Sequence, residues 1–144
     1  MPYLRARQGV PQVRRAAKPS EHAEQKAVCD WWRLACKGYG LPEFSLFAVP
    51  NGGARHPVVG RKLKAEGVRA GVPDLFLAVP RRYPAAEETP GFEFIGLFVE
   101  MKRKPNKPSP EQEDVLLYLR QRGYHAVIAW SADEAIRAIK AYLA

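Results

Sequence analysis

Gly96-Leu97-Phe98-Val99-Glu100-Met101-Lys102 carries one carboxylate and one ammonium at the end of an otherwise apolar run. The run reads as a strand from Phe94 to Lys102. An ionised carboxylate in such a setting is costly unless it is paired or meets a cation. The two-residue period of a strand puts Glu100 and Lys102 on one face, roughly 6–7 Å apart along the backbone. That spacing suits two groups approaching one phosphate from the same side. The plain alternative is a solvated strand end with a weak surface pair.

Working outward, Leu75-Phe76-Leu77-Ala78-Val79 is apolar on both faces, as central strands are, and Asp74 opens it straight after Gly71-Val72-Pro73. An Asp at one strand start and a Glu-x-Lys at the end of a neighbour would bring two carboxylates and an amine together. Hard cations such as Mg²⁺ take oxygen ligands and share the substrate's phosphate. A metal so held acidifies an attacking water, and the lysine orients that water or stabilises phosphate charge.

The remaining elements alternate around these two strands. Ser20 is an N-cap for a helix through about Lys37, with Ala27, Val28, Trp31 and Ala35 on its apolar face. Phe44 to Val49 reads as a strand, and Pro50-Asn51-Gly52-Gly53 as a sharp turn. A short helix follows from about Val58 to Glu66. Residues 80–93 hold three prolines and three acids, which reads as a loop or hairpin tip. Ser109-Pro110-Glu111-Gln112 combines an N-cap, a first-turn proline and a capping-box glutamine, opening a helix to about Arg122. Tyr124 to Trp130 is a further strand. Ser131 and Glu134 form a second capping box for a last helix. This order implies an α/β domain, a mixed sheet of about four strands with helices packed on it.

The 144 residues suit one domain, and their net charge is +8. A basic surplus favours a polyanionic partner, because binding releases counterions from phosphate. Residues 1–19, with Arg5, Arg7, Arg14, Arg15 and Lys18 and no acid, read as a basic, disordered arm. The domain proper is expected over residues 20–144. No apolar run is long enough to cross a membrane, and no secretory signal is visible. Cys29 and Cys36 offer no disulfide framework, which fits a reducing, cytoplasmic setting, and no zinc spacing.

Pro73-Asp74 and Glu100-Met101-Lys102 match the Asp and Glu-x-Lys pattern of the PD-(D/E)xK nucleases, including the proline. The surrounding motifs are more specific. Glu24-Gln25, Pro50-Asn51-Gly52-Gly53, Gly71-Val72-Pro73-Asp74-Leu75, Phe98-Val99-Glu100-Met101-Lys102 and Ser109-Pro110-Glu111-Gln112 occur in that order. Together they resemble the VRR-NUC (virus-type replication-repair nuclease) family, especially its minimal stand-alone phage and bacterial members, over about residues 20–144. The resemblance implies a restriction-endonuclease-like core and a dependence on Mg²⁺ or Mn²⁺. It also implies cutting of branched DNA, such as Holliday junctions or flaps, by structure rather than sequence. Paired cuts across a junction would need two active sites, so a homodimer is expected.

The family also uses a glutamate on the first helix. Glu21 and Glu24 share one stripe; a first-turn acid serves the helix dipole, so Glu24 is the expected third metal ligand beside Asp74 and Glu100. Gln112 is both a capping residue and, by the resemblance, a neighbour of the site. The wider superfamily sometimes places a tyrosine four residues later; here that position is Leu116. Asn51, Gly52, Gly53, Arg55, Arg61, Lys62 and Lys64 are expected to grip the DNA backbone, with Arg103, Lys104 and Lys107 beyond the Glu-x-Lys. Trp31, Trp32 and Trp130 read as core residues rather than base-stacking platforms. Two other readings remain: a DNA-binding module that kept the fold without the chemistry, and an unrelated or RNA-directed α/β protein.

Overall fold

Ser20 accepts a hydrogen bond from the Ala23 N–H in the computed structural model and starts α1, Glu21–Ala35. Residues 16–51, 57–83 and 91–144 are described. The reading of most of the basic arm, and those of Gly52, Gly53 and Arg55, fall outside them. After α1 the chain tightens into a 3₁₀ turn, Cys36–Tyr39, and leaves through Gly40 at φ 68, a conformation that glycine adopts without a Cβ penalty.

Five further elements carry the sheet and its first cover: β1 Leu46–Ala48, α2 Pro57–Ala65, β2 Leu75–Leu77, β3 Arg81–Arg82 and β4 Phe92–Phe94. Then come β5 Leu97–Met101, α3 Pro110–Gln121, β6 His125–Ala129 and α4 Ala132–Leu143. The main sheet runs β1-β2-β5-β6. β2 is antiparallel to both β1 and β5, and β5 is parallel to β6. The expected mixed α/β architecture is therefore the observed one.

One face of the sheet is the core. Leu75, Leu77, Leu97 and Val99 are fully buried there against Val28 and Trp32 of α1 and Ala135 and Ile139 of α4. Burying an aliphatic side chain of this size contributes roughly 1.5–3 kcal/mol, so these facing apolar surfaces hold the two helices on the sheet. α3 covers part of the other face, through Leu116.

The elements differ from expectation in four places. The strand expected at 94–102 is two strands, because Gly96 interrupts it. A Cβ at Gly96 would lie 2.7 Å from the Phe76 ring, so the chain turns there and β4 leaves to pair with β3. The loop expected at 80–93 thus carries a two-stranded hairpin at its described ends. The strand expected from Phe44 begins only at Leu46, after a 3₁₀ turn whose Glu43 carbonyl accepts from the Trp32 indole at 3.0 Å. The buried stripe of α1 is Val28 and Trp32, with Ala27 exposed, so the helix is rotated from the expected face.

Candidate active site

The β2–β5 register brings the two acids together. Leu75 pairs with Val99 in antiparallel register. One step further along that register sets Asp74 opposite Glu100, a spacing of about 4.5–5.5 Å between Cβ atoms in regular sheet. Both side chains therefore emerge on the face opposite the core. The Asp74 carboxylate is fixed from two sides. Its Oδ2 accepts from the Met101 N–H at 2.7 Å, and its Oδ1 from the Asn51 side-chain amide at 2.6 Å. Asn51, expected at the DNA backbone, lines the cavity and spends its side-chain amide on Asp74.

Glu100 is 1% exposed. Its Oε1 accepts from the Lys102 ammonium at 2.9 Å and from the Gln112 side-chain amide at 2.6 Å. Its Oε2 is buried and has no hydrogen-bond partner among the described residues. Burial pushes the carboxyl up to about 7; the nearby Asp74 charge adds to this, and the Lys102 hydrogen bond opposes it. An unpartnered buried oxygen on a group that titrates near neutrality is strongly disfavoured. A cation beside that oxygen would supply the missing partner and favour the charged form.

Gln112 unites its two readings. The Ser109 hydroxyl accepts from the Gln112 N–H, and the Gln112 carbonyl oxygen accepts from the Ser109 N–H, a complete capping box at the start of α3. The same side chain then spends its amide on Glu100. Gly71 lets α3 come this close to the loop before β2. It sits at φ 86, and a Cβ there would be 2.9 Å from the Glu111 carbonyl oxygen. Between them lies a cavity of about 310 Å³ lined by Glu21, Asn51, Asp74, Glu100, Lys102 and Gln112.

The helix-1 acid in this cavity is Glu21, which replaces the expected Glu24. Glu24 accepts from the Ala132 N–H at 2.7 Å and so satisfies the first turn of α4. Glu21 accepts from the Arg103 N–H at 3.0 Å while lining the cavity. The two share a helical stripe, so periodicity alone does not separate them; the packing of α4 against α1 does. The second expected capping box is also only half formed. Ser131 accepts from the Glu134 N–H, but the Glu134 carboxylate reaches the Trp130 N–H instead of the cap.

The expected basic residues divide by location. Arg61, Lys62 and Lys64 are exposed on α2, with Lys62 3.9 Å from Glu66. α2 leads into the turn whose Ala70 and Gly71 line the cavity. Arg103, Lys104 and Lys107 are exposed on the loop after β5. Of the tryptophans, Trp32 is core and Trp31 half-buried against it. Trp130 is no core residue; it lines a second cleft with Lys102, Arg103 and Lys104.

Among the described residues no three acidic, histidine or cysteine side chains converge to hold a metal on their own. The expected ligand set of Asp74, Glu100 and Glu24 is thus not assembled. What is assembled is a pair of opposed carboxylates, one with an orphaned buried oxygen, in an open cavity. Mg²⁺ is commonly held by one or two carboxylates plus waters and a substrate phosphate, and this donor set fits that coordination.

The comparisons with known proteins agree on one family. No curated protein matches the chain significantly. A solved structure described as a "VRR_NUC domain protein" superposes with a TM-score of 0.68 at 26% identity, covering 88% of this chain and 89% of its own. The model of the VRR-NUC domain family matches residues 19–133, a span containing Glu21, Asn51, Asp74, Glu100, Lys102 and Gln112, and the chain belongs to that nuclease family.

Proposed function

We propose that the protein is a Mg²⁺- or Mn²⁺-dependent endodeoxyribonuclease that hydrolyses phosphodiester bonds of branched DNA, such as Holliday junctions or flaps. It acts in the cytoplasm as a homodimer, so that two sites serve the two strands of a junction. The observation that carries this reading is the buried, unpartnered Oε2 of Glu100 opposite Asp74.

Asp74 and Glu100 would hold the divalent ion, with Glu21 across the cavity. When bound, the ion neutralises phosphate charge and acidifies water. Asn51 and the Met101 N–H hold the Asp74 carboxylate in one orientation. Gln112 holds Glu100 in the same way. Lys102, anchored on Glu100, presents an ammonium toward the phosphoryl oxygens as their charge grows. Water attacks phosphorus, the bond to the leaving oxygen breaks, and that oxygen gains a proton. The exposed cations of α2 and of the 103–107 loop hold the backbone without reading sequence.

The test is a panel of linear, flap and four-way DNA incubated with Mg²⁺, Mn²⁺ or EDTA. Cleavage of the branched substrates with either metal, and none in EDTA or with Asp74→Asn, is expected. Undiminished cleavage in EDTA rejects the reading. Binding without any cleavage favours a module that kept only the fold.

A further inference from the structure

We propose that the cleft beside Trp130 is a subsite for one unpaired nucleotide flanking the scissile phosphate; this rests on the nuclease reading above. The cleft has a volume of about 200 Å³, room for a nucleobase, and is lined by Lys18, Glu24, Lys102, Arg103, Lys104 and Trp130. Lys102 lines the catalytic cavity as well, so the two spaces adjoin.

The chemistry of the lining selects the occupant. Trp130 is fixed in place: its indole N–H donates to the Asn106 carbonyl at 3.0 Å, and its backbone N–H to Glu134 at 2.9 Å. Among the described residues no other aromatic ring stacks on it. Lys18, Arg103 and Lys104 make no ion pair with a described side chain. The one acid of the lining, Glu24, is already engaged on Ala132. An immobilised indole beside three cations with no ion pair to a described side chain is the pairing that binds single strands, with a base on the ring and phosphate on the charges. An acidic peptide would use the cations but leave the indole idle. A base inside a duplex is stacked on its neighbours and cannot reach a ring in a cleft without being extruded. The subsite therefore favours DNA in which the nucleotide next to the cut is already unpaired, as at a branch point.

The experiment is binding of the full chain, in EDTA so that nothing is cut, to a duplex with a single-stranded tail and to a fully paired duplex of equal length. An abasic site is moved along the tail, and 2-aminopurine replaces each tail base in turn. One tail position is expected to lose about 5- to 150-fold in affinity when abasic, with 2-aminopurine fluorescence quenched at that same position. Trp130→Ala should give the same loss for the tailed DNA and little for the paired duplex. It should add nothing when combined with the abasic site. Trp130→Phe, which keeps a ring, should retain most of the affinity and guards against a folding defect. A flat abasic scan, or an equal loss on tailed and paired DNA, overturns the subsite. The scan is read without catalysis, so failure of every substrate to be cut in Mg²⁺ would reject the nuclease reading while leaving a position-specific loss intact.

Discussion

Gln112 and Glu100 are joined at 2.6 Å by the same glutamine side chain that completes the capping box of α3. The capping of a helix and the orientation of the carboxylate proposed to hold the metal thus share one residue. Gln112→Ala removes the side-chain half of the capping box and the bond to Glu100, while the Ser109 cap on the backbone N–H remains. It should cost about 1 kcal/mol of stability as a lost cap interaction, and reduce kcat/KM by about 10–100-fold, as loss of a ligand's orienting partner does. Gln112→Glu keeps an acceptor for the Ser109 N–H but sets a like charge against Glu100. It should fold and still lose activity. Urea denaturation alongside cleavage rates separates the two effects; equal activity in wild type and Gln112→Glu would count against the orienting role.

The two glutamates of α1 make opposite predictions. Glu24→Ala leaves the Ala132 N–H without its acceptor, at a cost of about 1–3 kcal/mol. Activity per folded molecule should change little. Glu21→Ala, at the cavity wall, should barely change stability but lower activity by about 10–100-fold. The reverse pattern would restore Glu24 as the functional acid.

Sequence reasoning reached the sheet and the opposed pair because both are written in local pattern. Asp74 opens one apolar strand, Glu100 interrupts another, and antiparallel pairing does the rest. It failed where the deciding contact is between distant segments. Whether Glu21 or Glu24 faces the cavity is set by α4, more than a hundred residues away in the chain. Trp130 reads as core at the end of the strand expected from Tyr124 to Trp130, yet its indole donates to the Asn106 carbonyl. The break at Gly96 follows from the Phe76 ring across the sheet, which a single strand's composition does not reveal.

The Glu100 carboxyl, pushed up by burial to about 7, makes stability and activity depend on pH in opposite senses. The folded state holds this proton more tightly than the unfolded chain. Its contribution is therefore most favourable at low pH and is lost as pH rises from 4.5 to about 7. Relative to Glu100→Gln, the metal-free wild type should lose on the order of 3 kcal/mol between pH 4 and pH 8. Urea titrations of both proteins in EDTA measure this, and a difference that ignores pH contradicts it. Proton and cation compete for the same carboxylate, so cleavage at limiting Mg²⁺ should rise about tenfold per pH unit below 7. Raising Mg²⁺ should move that rise to lower pH.

Gly71 sits at φ 86 with the Glu111 carbonyl where a Cβ would go. Gly71→Ala should destabilise by more than about 1 kcal/mol and lower cleavage further than its loss of folded fraction explains, because α3 and Gln112 must shift. Gly60→Ala, where a Cβ meets nothing within 4 Å, is the matched control on a helix and should be neutral or stabilising. Equal melting temperatures for the Gly71 variant and wild type would contradict the close approach.

The most direct measurement is Mn²⁺ binding, followed by electron paramagnetic resonance of the free ion, for wild type, Asp74→Asn and Glu100→Gln without DNA. Wild type should take up Mn²⁺ above pH 7, and each variant should bind at least about tenfold more weakly while keeping its fold. Equal Mn²⁺ uptake by all three proteins would mean that the opposed carboxylates of β2 and β5 hold no metal.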